Sequence, residues 1–179
     1  MNELQTTFLA LQKDVSVRAV LLRSGGAHFS RGLDVAHLVQ PVEKRKAAAE
    51  EMSTCLMKFL KMLVAFPKPI VAAVQGDVLG MGVTILPLFD IVIAQLGSSF
   101  VAPYGHFGYL PEALGAFSSG VRSLKAKTAM LSIKQHLRRE LVTKMESALL
   151  LEQKKHAQQW ATPECQAKFK LFVSKGGEL

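Results

Sequence analysis

Met62 to Asp90, MLVAFPKPIVAAVQGDVLGMGVTILPLFD, combines a β-branched run, a break at Gly76-Asp77, and small and apolar residues around Gly80-Met81-Gly82. A strand that ends in glycines and feeds the start of an apolar helix leaves backbone N–H groups bare, where a ligand's negative oxygen can reach them. The chemistry this favours is stabilisation of an oxyanion. A second glycine-punctuated stretch, HFSRGLDVAHL at 28–38, follows a strand-like run at 17–22 and its Arg23-Ser24-Gly25-Gly26 turn. Either stretch taken singly reads as an ordinary glycine turn at a strand end.

Other reactive side chains are weaker pointers by themselves. Glu112 follows Pro111 after the aromatic, glycine-punctuated FVAPYGHFGYL (100–110), where a glutamate in a first helical turn is favoured by the helix dipole alone. Asp34 is expected to cap or order its loop, and Asp90 to fix the turn into a strand at Ile91. His28 and His106 have no Ser, Cys or Asp partner at a recognisable spacing and read as loop or pocket-lining residues. Cys55 and Cys165 fall on different predicted helices without metal-ligand spacing, so they are expected to be free thiols, with no zinc site and no disulfide.

The elements that must position these residues follow from periodicity. Apolar residues at 4, 8, 9 and 11 mark a short helix, and VRAVLL at 17–22 a buried strand. Residues 43–64 form a long amphipathic helix with Met52, Leu56, Phe59, Leu60 and Leu63 on its apolar side; Phe66-Pro67-Lys68-Pro69 ends it. Strands are predicted at 70–74 and 91–94, with a short apolar helix over 81–89 between them and a short strand and loop from 100 to 110. Beyond Gly120 the chain reads as helical over 123–137, 140–160 and 163–173. Strand, turn, helix and strand in this rhythm predict an α/β fold of repeated small units.

Composition narrows the function classes. The 179 residues fit one domain, and a 49% hydrophobic content predicts more apolar surface than a small monomer needs, hence self-association. Pro67, Pro69, Gly76, Asp77, Pro87 and Asp90 interrupt the apolar stretches before the roughly 18 residues of a membrane helix, so no membrane role is expected. The first residues show neither a secretory core nor a transit pattern. The net charge of +8 is uneven: residues 1–120 carry ten Lys/Arg against nine Asp/Glu, and residues 121–179 twelve against five. A solvated helix face is the first reading of that basic end, a phosphorylated small ligand the second and nucleic acid the third, since no aromatic interleaving or reader motif accompanies it.

Taken together, AVLLRSGGAHFSRGLDVAHL, the helix ending in FPKPIVAAVQGDVLGMGVTILPLFDIVIA, and SSFVAPYGHFGYLPEALG resemble the enoyl-CoA hydratase/isomerase superfamily, the crotonase fold. The likeness runs in order over residues 15–120. The last third, with AMLSIKQHLRRELV and WATPECQAKFKLFVSKGGEL, is similar to the carboxyl end of peroxisomal Δ3,Δ2-enoyl-CoA isomerases. The resemblance implies an α/β fold, a crotonase-like spiral of ββα units over residues 1–120, followed by C-terminal helices over 121–179 of the same domain.

The resemblance also implies chemistry: a thioester enolate held by two backbone N–H groups, here Leu33 and Met81. Arg31, Gly32, Gly80, Tyr104 and Phe107 become the expected substrate-binding residues. The two positions that carry carboxylates in hydratases correspond to Thr84 and Tyr104, neither of which can act as a carboxylate base. Glu112 takes the place of the single isomerase base, and apolar neighbours such as Phe107, Tyr109 and Leu110 would raise its pKa towards neutrality. The implied activity is a double-bond shift from 3-enoyl-CoA to 2-trans-enoyl-CoA, with coenzyme A as part of the substrate, no separate cofactor and no metal. Trimers or hexamers are implied as well; the alternative is a non-catalytic module for acyl-CoA or protein, as in chromodomain Y-like proteins. Against the family pattern, a first β-hairpin and several tens of residues between Gly120 and Lys125 are expected to be missing. The carboxyl end is Gly177-Glu178-Leu179 and not the peroxisomal Ser-Lys-Leu, although the lineage points to the peroxisome.

Overall fold

The structure, a computed structural model, describes residues 1–111 and 130–177, and side chains over all of these except 130–144. After the helix α1 (Asn2–Lys13), strand, second strand and helix follow one another three times. The first unit is β1 (Val20–Arg23), a lone bridging residue at Ser30, and α2 (Val42–Ala65). The second is β2 (Ile70–Val74), β3 (Asp77–Leu79) and α3 (Met81–Thr84); the third is β4 (Ile91–Ala94), β5 (Ser99–Val101) and α4 (Tyr104–Phe107). The first strands pair in parallel in the order β1-β2-β4, while β3 pairs in parallel with β5 and Ser30 bridges to Val78. Two layers of strand thus advance together, one unit at a time. The helices α5 (Met130–Trp160) and α6 (Pro163–Ser174) complete the described chain.

Local chemistry explains the boundaries. In α2, Ala49, Ser53, Leu56, Leu60 and Leu63 recur at helical spacing and are buried, with Phe59 and Val64 beside them. The helix stops at Phe66, whose backbone is extended because the ring of Pro67 disfavours a helical conformation in the residue before it. Phe66 then packs edge-on against Phe8 of α1 at 5.0 Å. Strand β2 is central, and its alternating Ile70, Ala72 and Val74 are buried. Asp90 ties the third unit to the second: its carboxylate accepts from the Ile70 amide at 2.7 Å and its own amide donates to the Ile70 carbonyl at 2.9 Å.

Several boundaries differ from expectation. The first strand begins at Val20 and not at 17, where Val17 still belongs to a turn closed by its N–H on the Asp14 carbonyl. The helix predicted over 81–89 is α only to Thr84 and then tightens to a 3₁₀ turn at Leu86–Leu88; Pro87 has no N–H with which to extend the α ladder. Gly76-Asp77, read as a plain break, opens β3. Residues 138–139 do not interrupt the C-terminal helices: α5 runs unbroken because no Gly or Pro lies between 130 and 160. Thr162 then caps α6 by accepting from the Cys165 amide at 3.3 Å.

A single hydrophobic cluster joins the strands to the carboxyl end: Phe59, Leu63, Ile70 and Ala72 share it with Met145, Leu149, Trp160 and Phe169. The opposite face of the first sheet is open, with Leu21 and Ile93 each 61% exposed. Among the described residues no helix is long and apolar enough to cross a membrane, and none form a group that could hold a metal ion.

Candidate active site

The second strand layer sets the site by register. Ser30 is bridged to Val78, and Val78 is paired with Phe100. Three residues beyond each lie Leu33, Met81 and Pro103, and all three line one small cavity of about 20 Å³. Among the described residues the Leu33 and Met81 amides have no acceptor. Pro103, in the corresponding place of the third unit, carries no N–H at all. The cavity therefore has two bare donors from equivalent positions and an apolar ring at the third.

A glycine precedes each donor, and both need left-handed backbone. Gly32 has φ +82°, and a Cβ there would sit 3.1 Å from the Leu79 carbonyl oxygen; Gly80 has φ +47° with ψ −119°, a region other residues reach only under strain. The amide that follows each glycine enters no strand ladder among the described residues, and its residue lines the cavity. Ser30 holds the first loop by accepting from the Gly32 amide at 3.2 Å through its hydroxyl, and its carbonyl accepts from the Leu79 amide at 2.9 Å. Gly80 in turn donates to Val101 at 2.8 Å, locking the second loop to β5.

The cavity's far wall is aromatic. Phe107 and Tyr109 are buried, stacked at 6.0 Å with 24° between their planes, and Phe172 of α6 meets Phe107 edge-on at 5.2 Å. The same Phe172 continues into a wider open groove of about 380 Å³ lined by Arg31, Asp34, Val35, Val173 and Gly177. Arg31 is at its rim, donating to the Gly177 carbonyl at 2.9 Å. Beside the cavity the Tyr104 hydroxyl donates to the Thr84 hydroxyl at 3.4 Å, and a Cβ on Gly80 would be 4.0 Å from that Tyr104 oxygen.

The family model for enoyl-CoA hydratase/isomerase matches residues 1–131. The chain belongs to that family. Among curated relatives, chromodomain Y-like protein of Rattus norvegicus is 34% identical over 113 residues, covering 63% of this chain and 19% of the relative. Enoyl-CoA delta isomerase 2 of Homo sapiens is 31% identical over 118 residues, covering 65% and 30%. The peroxisomal enoyl-CoA delta isomerase 3 of Mus musculus is 33% identical over 92 residues, covering 51% and 29%. The chain thus spans less than a third of the length of these relatives. Among solved structures, an enoyl-CoA hydratase from Bacillus halodurans superposes with a TM-score of 0.77 at 16% identity, covering 94% of this chain and 89% of that one. The crotonase fold is shared.

Within this family member the predicted site residues distribute as follows. Arg31, Gly32, Leu33, Gly80, Met81 and Phe107 come together around the one cavity. Tyr104 is buried behind Gly80, against Thr84, and is not part of the cavity lining. Glu112 lies outside the described residues, as does the expected jump after Gly120. Asp34 does order its loop, accepting from the Ala36 amide at 3.1 Å. The cysteines are both free, Cys55 half-buried on α2 and Cys165 buried on α6, where burial raises its thiol pKa.

His28 requires a correction. Sequence spacing gave it no acidic partner, yet its Nδ1 accepts from the Asp77 amide at 3.2 Å and lies 3.2 Å from a carboxylate oxygen of the same residue, whose other oxygen accepts from the Ser99 hydroxyl. The serine faces the aspartate and not the histidine, so this is an exposed brace between a loop and two strands, without the nucleophile–base contact of a catalytic triad. Sequence reasoning also missed how the aromatic wall is fastened. His156, Gln159 and Cys165 reach it from about fifty residues away, a distance at which no local motif gives a signal.

Proposed function

We propose that this chain carries the active site of an enoyl-CoA isomerase that moves the double bond of a 3-enoyl-CoA to the 2-trans position. The observation that supports it best is the pair of amides, Leu33 and Met81, that have no acceptor among the described residues and stand at register-equivalent positions on a cavity lined also by Arg31 and by apolar and aromatic side chains. Donors fixed before the reaction and shielded from water stabilise a developing oxyanion by several kcal/mol, about 2.7–4 for a single donor. The thioester carbonyl accepts from both. Glu112, assigned through the family resemblance, removes the C2 proton; the electron pair delocalises into a dienolate, and the proton returns at C4. No water is added and nothing is oxidised.

Hydration is disfavoured by the neighbouring pair. Activation of water by the family's second chemistry uses two carboxylates, and here those places are held by Thr84 and Tyr104, hydroxyls 3.4 Å apart that bond to each other. Arg31, at the rim of the adjoining groove, is proposed to meet the negative charge of the coenzyme A portion. Assembly into trimers or pairs of trimers and action in the peroxisome complete the reading; the relative named a peroxisomal isomerase supports the latter.

Purified chain incubated with a 3-enoyl-CoA should give the 2-trans product without a hydroxyacyl by-product. Replacing Glu112 with Gln should lower turnover by a factor of about 10² or more while thioester binding persists. Full turnover in that variant removes the assigned base. A second reading, a non-catalytic acyl-CoA or protein-binding module, is favoured by the 34% identity to chromodomain Y-like protein. Saturable coenzyme A binding in calorimetry with no turnover of any 3-enoyl-CoA would select it.

A further inference from the structure

The wall that faces the two amides is held by side chains from the C-terminal helices. Segment 107–110 belongs to no sheet: its Phe107 and Gly108 amides close the α4 turn on the Pro103 and Tyr104 carbonyls, while the Phe107 carbonyl and both backbone groups of Leu110 are bonded from outside. The Leu110 carbonyl is 3.0 Å from His156 Nε2, and the Leu110 amide donates to Gln159 Oε1 at 3.2 Å. One turn earlier in the wall, the Cys165 thiol donates to the Phe107 carbonyl at 3.2 Å. His156 and Gln159 are three residues apart on α5 and so share one side of it. Both polar atoms of a single residue's backbone are therefore gripped by one helix.

The chemistry of the grip fixes the state of His156. A carbonyl can only accept, so Nε2 carries the proton and donates. The ring is 1% exposed, stacks on Trp160 at 4.9 Å and 9°, and meets Tyr109 edge-on at 6.2 Å. Burial lowers its pKa and keeps it a neutral imidazole at physiological pH. Leu110 is followed in sequence by Pro111 and Glu112.

We propose that His156, seconded by Gln159, is a positioning residue that holds the Phe107–Leu110 wall against the Leu33–Met81 cavity. The inference rests on the isomerase reading for its effect on turnover, but the clamp itself does not. Its effect belongs in kcat more than in KM, because the thioester carbonyl is bound from the opposite side, by the loops of the first two units.

His156→Phe keeps a flat aromatic ring able to stack on Trp160, at a somewhat larger volume, while deleting the donor; His156→Gln restores an N–H donor of similar reach. The expected result for a folded His156→Phe protein is amide exchange at Leu110 faster by about tenfold and kcat on a 3-enoyl-CoA lower by about tenfold, with KM little changed. His156→Gln should return both towards the starting chain, and Gln159→Leu should reproduce the loss. Unchanged exchange or unchanged kcat in folded His156→Phe overturns the inference, and equal losses in the Phe and Gln variants do so too. Failure of the isomerase reading looks different: Glu112→Gln keeps its turnover, or the starting chain has none, and exchange at Leu110 then decides the clamp by itself.

Discussion

At the scale of single residues, the site depends on two glycines for unlike reasons. Gly80 has room for a methyl group, with only the Tyr104 oxygen 4.0 Å away, but its φ of +47° and ψ of −119° suit no other residue. Gly80→Ala should therefore cost about 1–3 kcal/mol of stability through backbone strain. It should also lower turnover by about 10²–10³ as the Met81 amide swings away; urea melts and initial rates check the two effects separately. Gly82 is limited by space instead, since a Cβ there would come within 2.6 Å of Ser30 Cβ and push on the loop that carries Leu33. The cysteines differ as sharply. Cys165 is 2% exposed with its thiol pKa raised by burial, whereas Cys55 is half-buried at the α1–α2 contact, so a thiol reagent near neutral pH should modify Cys55 first. Mass-spectrometric mapping of the first adduct tests this.

At the scale of elements, the spiral turns a short local pattern into a long-range assembly. In the first two units the second strand position is followed three residues on by an amide, of Leu33 and of Met81, with no acceptor among the described residues, and parallel pairing brings the turns of successive units side by side. Helix α5 closes the third side through His156. The folded-state pKa of that histidine lies below its ordinary value of 6.5, so the unfolded chain takes up the proton first. Its contribution is complete above about pH 6.5 and declines as the pH falls below that value, until the folded pKa is also passed. Thermal melts between pH 7.5 and 5 should show this acid-side loss, and His156→Gln should flatten it. An unaltered pH slope in the variant would assign the acid sensitivity to other groups.

At the scale of the whole molecule, one core ties the carboxyl-terminal helices to the strands. Trp160 is fully buried, touching Tyr109 edge-on at 5.8 Å and lying flat on His156. Trp160→Ala should cost about 3–5 kcal/mol and lower the stability of the cavity wall together with that of the helices. Fluorescence is lost with the only tryptophan, so circular dichroism is the suitable probe of the melt. The open face of the first sheet presents Leu21 and Ile93 at 61% exposure each.

The main strands and the amphipathic α2 were legible along the chain, because burial imposes a period of two or 3.6 on neighbouring residues and that period is readable locally. Gly32 and Gly80 were marked through the family resemblance of their two motifs, each of which taken singly reads as an ordinary glycine turn. Tertiary structure alone decided that Leu33, Met81 and Pro103 are equivalents around one cavity, that Thr84 and Tyr104 meet, and that His156 serves a loop 46 residues away. Those relations depend on strand register and helix docking, in which contacts join residues far apart in the chain and leave no periodic trace along it.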